Sequence, residues 1–218
     1  MAHTTVLVVE DHNLVREALR ALIEENPSLE VVGQAHDGSE ALSLAEQTRP
    51  DLVIMDIMMP NLNGFEATRG MTQLPRPPKV VILSQYNRVD YVLQALISGA
   101  SGYLLKDAAA DELLLAIRAV SDGELYLSSQ LDRETIEERM HQRGEIGSPI
   151  ERLTPRERQV LQLVAEGNTN RQVAVNLGIS IKTVEKHRFS LMEKLNIRDV
   201  TGLVRFAVSE GIIVSDRN

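Results

Sequence analysis

Asp51-Leu-Val-Ile-Met-Asp56 sets four consecutive apolar residues between two carboxylates. An apolar run this short, without polar alternation, reads as a strand buried on both faces, the kind that helices cover in a parallel sheet. Working outward from Leu52–Met55, four more segments have the same character: Thr5–Val9, Leu29–Ala35, Lys79–Leu83 and Ser101–Leu105. Between and after them, Asn13–Asn26, Ser39–Gln47, Gly64–Gln73, Val89–Ser98 and Ala108–Ser121 carry apolar residues at helical spacing, as Leu113, Ala116, Ile117 and Val120 do. Asp37 and Asp107 stand where N-caps belong. Five repeats of strand then helix predict an α/β domain, a doubly wound, five-stranded parallel sheet over residues 4–121. Such sheets place their working crevice at the carboxyl ends of the strands.

Those ends carry the chemistry. The first strand runs into Glu10-Asp11, the third into Asp56 and the fourth into Ser84, and Lys106 follows the fifth. Three carboxylates, a hydroxyl and an ammonium are thus expected at one sheet edge. Crowded carboxylates repel, and a hard divalent cation with oxygen ligands relieves them, so Mg²⁺ is the expected cofactor. A carboxylate beside a lysine and a hydroxyl can attack phosphorus and form an acyl phosphate. Ser84 and Lys106 would then hold the phosphoryl oxygens. An aspartyl-phosphate phosphatase would need a second acid two residues after its nucleophile; here that position is Met58, so no enzyme is expected.

This first part resembles the receiver domain of two-component response regulators. The resemblance rests on Val9-Glu10-Asp11, Asp51–Asp56, Met59-Pro60 followed by Gly64, Ile82-Leu83-Ser84, and Gly102-Tyr-Leu-Leu-Lys106. It implies a flavodoxin/CheY-like fold in which Asp56 accepts phosphate from a cognate histidine kinase. It further implies that Asp11, Asp56 and the Met58 carbonyl hold Mg²⁺, with Glu10 reaching it through water. Ser84 and Tyr103 would form the switch pair: the hydroxyl turns to the phosphate and the ring turns inward. Asp107, where many receivers have proline, and Gln85, where a small residue is common, depart from the pattern. Met58 and Tyr86, each two residues beyond a site residue, are bulky enough to screen the acyl phosphate from water.

Residues 122–151 break the alternation. Ser128–Gln142 reads as a polar helix, and Arg143-Gly-Glu-Ile-Gly-Ser-Pro149 is rich in breakers, so the region is expected to be a partly helical linker. Beyond it the strand signal disappears and residues 152–212 read as a small all-helical domain. Thr154-Pro-Arg-Glu157 is a helix start. Thr169–Asn176, a tight turn at Gly178 capped by Ser180, and Ile181–Leu195 form helix, turn, helix; Asp199–Glu210 is the last helix.

At about 100° per residue, Val184, Leu191 and Leu195 fall on one stripe, with Ile181 at its edge. Lys182, Lys186, Phe189 and Glu193 lie opposite, with Glu185 beside them. Phe189 suits a thymine methyl, Lys186 a guanine and Glu185 a cytosine, whereas Arg171, Lys182 and Thr183 suit phosphates. Leu153–Arg158, Ala165-Glu-Gly167, Lys182–His187 and Met192–Leu195 resemble a LuxR-type helix-turn-helix. Together with the receiver, the chain is similar to the NarL/FixJ response regulators. The resemblance implies promoter DNA as a partner, a homodimer when active with part of the last helix as dimer surface, and a role for His187 near the DNA backbone. From its angle alone, His187 is equally a half-buried structural residue, and Arg188 on the same side is placed to cross to other helices.

Of 218 residues, 43% are hydrophobic and 25% charged, as in globular proteins. The net charge of −8 hides an asymmetry. Residues 1–147 carry a balance of −11 and residues 148–218 one of +3, which suits an acidic module joined to a nucleic-acid-facing one. The absence of cysteine excludes disulfide scaffolds, thiolate metal sites and thiol catalysis. No run reaches the roughly 18 apolar residues of a membrane span, and the first ten residues lack the basic start of a signal peptide. No membrane partner and a cytoplasmic location are therefore expected. The competing expectation is a phosphorylation-independent DNA-binding regulator whose receiver serves only as a dimerisation scaffold. A pure adaptor would lack the basic helix face.

Overall fold

The computed structural model describes residues 3–108, 110–144, 149–210 and 212–213. The chain divides into two compact units, 1–136 and 137–218. In the first, β1 (Thr4–Val9), β2 (Leu29–Ala35), β3 (Leu52–Asp56), β4 (Lys79–Ser84) and β5 (Gly102–Leu105) alternate with α1 (Asn13–Glu24), α2 (Gly38–Thr48), α3 (Gly64–Met71), α4 (Val89–Ile97) and α5 (Ala110–Ser121). The order is β2-β1-β3-β4-β5 with one further strand beside β5, and every pairing is parallel.

The sheet therefore has six strands, not the five expected. The sixth, β6 (Tyr126–Leu127), pairs with Gly102 and Tyr103 of β5. Two residues carry no periodicity, so only tertiary contacts reveal this strand. The following helix, α6, spans Arg133–Gly144 and begins five residues later than Ser128. The breaker-rich residues 145–148 lie outside the described residues.

Central burial explains the apolar runs. Alternate residues of β1, β3 and β4 (Val6 and Val8, Leu52 and Ile54, Val81 and Leu83) pack with Ile23 of α1 and Ile117 of α5. Leu7, Val53, Met55 and Ile82 are equally buried, so both faces of the sheet are covered. Burying each such side chain contributes about 1.5–3 kcal/mol.

Asp37 caps α2, accepting from the amides of Ser39 and Glu40, each at 2.8 Å. Asp107 does not cap α5. That helix begins at Ala110, so its cap position is residue 109, outside the described residues. After β3 the backbone folds back on itself: the Gly64 amide donates to the Ile57 carbonyl at 2.9 Å. A Cβ on Gly64 would lie 2.0 Å from the Asp56 carbonyl oxygen, so only glycine lets α3 start against the end of β3.

The second unit holds a 3₁₀ turn (Pro149–Arg152), α7 (Pro155–Ala165), α8 (Asn170–Leu177), α9 (Ile181–Leu195) and α10 (Val200–Ser209). Its core gathers Val160, Leu161 and Val164 with Val173, Val184, Leu191 and Leu203. Thr154 and Thr169 form capping boxes with Glu157 and Gln172. Gly178 ends α8 at φ 62°, and Ser180 caps α9. Ile181 is 45% exposed and lies outside the core stripe.

Candidate phosphoacceptor site and nucleic-acid interface

The ends of β1, β3, β4 and β5 bring the expected residues to one edge. Asp56 is 5% exposed at the end of β3; its Oδ1 accepts from the Ile57 amide at 2.7 Å. Its Oδ2 lies 3.0 Å from Lys106 Nζ, and the same ammonium donates to Glu10 Oε2 at 2.8 Å. One lysine thus bridges two buried carboxylates. Burial pushes the Asp56 carboxyl up; Lys106 opposes this and Glu10 adds to it, leaving the group at about 6. For Lys106, burial favours the neutral form, but Asp56 and Glu10 overcome it and raise its pKa. The Lys106 amide donates to the Ser84 carbonyl at 2.7 Å, which fixes the lysine's backbone to β4.

Asp11 is half-buried beside Glu10. His12 adds a donor that the chain spacing did not suggest: its Nδ1 is 2.7 Å from Asp11 Oδ1 and 3.3 Å from Glu10 Oε1. Glu10, Asp11 and His12 offer ligand atoms all within 4.8 Å of one another. The signal was adjacency to the acidic pair, since His12 directly follows Asp11. The hydrogen bond to Asp11 is the main cause of a raised His12 pKa. Met58 is half-buried two residues after Asp56.

Ser84 is 1% exposed, and its Oγ accepts from the Tyr86 amide at 3.1 Å. Tyr103 is fully buried, and its hydroxyl donates to the Tyr86 carbonyl at 2.6 Å. Burial pushes that hydroxyl's pKa well up, so it remains a protonated donor. The Tyr86 ring stacks on Tyr91 at 4.9 Å between centroids, and Tyr91 in turn packs on Phe65. Both Ser84 and Tyr103 therefore bond to the backbone of one residue, Tyr86.

In the helical unit, Lys182, Glu185, Lys186 and Phe189 are exposed on one side of α9, Phe189 at 66%, and Arg171 is exposed on α8. Thr183 is half-buried; its amide donates to Ser180 Oγ and its hydroxyl bonds to the same atom at 2.8 Å, so it takes part in the α9 cap. His187 is half-buried. Arg188 crosses to α8, where Nη1 donates to Asn170 Oδ1.

A structural acid escaped the sequence reading. Glu157 of α7 accepts from Lys194 Nζ and Ser190 Oγ of α9, each at 2.7 Å, as well as from the Thr154 amide. Burial alone would raise its carboxyl, but these donors hold it at about 2. The capping-box spacing signalled only the bond to Thr154; the partners on α9 are remote in sequence.

Residues 6–118 match the response regulator receiver domain, and residues 151–207 match the luxR family of bacterial regulatory proteins. The transcriptional regulatory protein LiaR of Bacillus subtilis is 39% identical over 202 residues, covering 93% of this chain and 95% of LiaR. The nitrate/nitrite response regulator NarL of Escherichia coli K12 is 34% identical, covering 89% of this chain and 90% of NarL. A LuxR-family two-component response regulator from Aurantimonas superposes with a TM-score of 0.57 at 33% identity, over 66% of this chain and 99% of that one.

Proposed function

Because the chain belongs to the two-component response regulators of the NarL/FixJ type, we propose that phosphorylation of Asp56 switches its binding to promoter DNA. The observation that carries this reading is the bridge at the sheet edge: a buried carboxylate with raised pKa, held by Lys106 and flanked by Glu10 and Asp11.

A partner histidine kinase supplies a phosphohistidine. Asp56 Oδ attacks its phosphorus, an O–P bond forms, the N–P bond breaks, and the imidazole leaves and regains a proton from solvent. Lys106 offsets charge on the phosphoryl oxygens, and the Ser84 hydroxyl donates to one of them. Water attacking phosphorus later breaks the O–P bond and returns the carboxylate and inorganic phosphate. The donor set fits Mg²⁺: hard oxygens from Asp11, Asp56 and the Met58 carbonyl, with Glu10 through water. One ammonium against three carboxylates leaves the cluster short of positive charge. When bound, Mg²⁺ would neutralise the charge of the transferring phosphoryl group.

Once Ser84 reaches toward phosphate, its bond from the Tyr86 amide is in play, and Tyr86 also holds the Tyr103 hydroxyl. Phosphorylation is thereby read by the switch pair and passed to the DNA-binding part, residues 152–212, through the 122–151 linker. There the exposed face of α9 enters the major groove: Glu185, Lys186 and Phe189 meet base edges, while Arg171 and Lys182 meet phosphates. Thr183 contributes through the α9 cap, and His187 stands beside the backbone contacts. A homodimer doubles a modestly basic domain into a two-half-site reader.

Intact mass after incubation with Mg²⁺ and acetyl phosphate tests the first step. One added phosphoryl group, absent in Asp56→Asn and after chelation, is expected. No adduct, or an adduct that survives Asp56→Asn, contradicts the assignment.

A further inference from the structure

The sixth strand lies against the part of the sheet that carries the switch. Tyr126 and Leu127 pair with Gly102 and Tyr103. The Ser128 amide donates to the Tyr103 carbonyl at 2.9 Å. Besides its place in the β5 ladder, Tyr103 is tied at both ends: its hydroxyl to Tyr86 beyond β4, and its carbonyl to the segment after β6. From that segment the chain runs through α6 into the second unit.

Glu112, on the first turn of α5, gathers three donors from this segment, from residues 14 to 17 positions away in the chain. Ser128 Oγ donates to Glu112 Oε1 at 2.7 Å, the Ser129 amide at 3.0 Å and the Tyr126 hydroxyl at 3.2 Å. Ser128 is 2% exposed. Its Oγ also accepts a long bond, 3.5 Å, from the amide of Leu105, the residue before Lys106. A two-residue strand has a short ladder, and these side-chain bonds add to it and to the burial of Leu127 and Tyr126.

We infer that Glu112 and Ser128 are positioning residues that fix β6 to the backbone of Tyr103 and Leu105, and so couple the switch and Lys106 to the segment leading to the DNA-binding domain. The inference rests on the phosphorylation reading above only for its effect on DNA binding. Coupling is reciprocal: if the switch alters how β6 is seated, loosening β6 must alter the switch. Glu112 and Ser128 touch neither the phosphoryl group nor DNA in this scheme.

The test uses the full chain as wild type, Glu112→Ala, Glu112→Gln and Ser128→Ala, each shown folded by its thermal transition. Amide exchange is followed at Tyr103–Leu105 and at residues 126–131, and DNA affinity with and without acetyl phosphate. In Glu112→Ala and Ser128→Ala, exchange is expected to quicken about tenfold at residues 126–131 and to spread to Tyr103–Leu105. The affinity ratio between phosphorylated and unmodified protein is expected to shrink toward one, although Asp56 still takes up phosphate. Glu112→Gln keeps an acceptor oxygen and should restore most of both. Quickened exchange that stops at residues 126–131, or a full phosphorylation response in Glu112→Ala, overturns the inference. Should wild type take no phosphoryl group, the phosphorylation reading fails, and exchange at Tyr103–Leu105, which needs no phosphate, still decides the positioning role.

Discussion

Lys106 Nζ stands 3.0 Å from Asp56 Oδ2 and is the cation that keeps this buried carboxylate ionisable near neutral pH. Burial raises the Asp56 carboxyl to about 6, and Lys106 is the largest force opposing that rise. Lys106→Met should therefore raise it further. It should also cost roughly 3 kcal/mol of stability, because Glu10 and Asp56 lose a shared partner. Carbon NMR of the Asp56 carboxyl across pH reads the first effect and urea unfolding the second. An Asp56 value that stays put or falls contradicts this account of the site.

Met58 and Tyr86 bear on the lifetime of the acyl phosphate. Both are half-buried, and Tyr86 is held by its stack on Tyr91. Replacing both with small polar residues, Met58→Asn and Tyr86→Ser, should admit water and shorten the lifetime by about tenfold. Following loss of the phosphoryl group by mass checks it; an unchanged hydrolysis rate sinks the screening role.

The Glu157 carboxylate makes the helical unit acid-sensitive. Its value falls from 4.5 to about 2 on folding, against burial and because of Lys194, Ser190 and Thr154. A depressed carboxylate contributes stability that is fully present above pH 4.5 and is lost as pH falls toward 2. Wild type should exceed Glu157→Gln by about 2–3 kcal/mol at pH 6, and the gap should close as the pH drops through that window. Urea unfolding of both proteins from pH 6 downward measures it. A gap independent of pH means the ion pair is not its source.

Exposed residues on α9 should separate binding from folding. Phe189 is 66% exposed, so Phe189→Ala should change stability by less than about 0.5 kcal/mol. It should nonetheless relax the preference for one base position. Lys182→Ala should weaken binding to all sequences alike and reduce the salt slope by about one. Binding to a panel of single-base variants at two salt concentrations distinguishes the two effects. Equal loss on every sequence for Phe189→Ala removes it from base reading.

The residues best read from the sequence were those whose environment is set along the chain. Leu52–Met55 announced a doubly covered strand because apolar runs of that length have few other homes. Strand-end acids were placed together because parallel strands put like ends at one edge. The face of α9 followed from a helix's fixed angle per residue. What escaped was decided at a distance. Tyr126–Leu127 is a strand because it pairs with Gly102 and Tyr103, some two dozen residues earlier in the chain. Asp107 looked like a cap because α5 was expected to begin at 108, whereas it begins at 110. Thr183 seemed free for phosphate until Ser180 engaged it. Glu157 showed its local capping role, but its contacts lie 33 and 37 residues away on α9.

The most direct measurement of the central claim is the affinity of the full chain for promoter DNA, by fluorescence anisotropy at several salt concentrations, before and after phosphorylation by acetyl phosphate and Mg²⁺. Phosphorylation is predicted to tighten binding by about tenfold or more, with Asp56→Asn unresponsive to the same treatment. Equal affinity in both states, with Asp56 shown to be phosphorylated, would contradict the switch and leave the receiver as a dimerisation scaffold for a DNA-binding domain that works without phosphate.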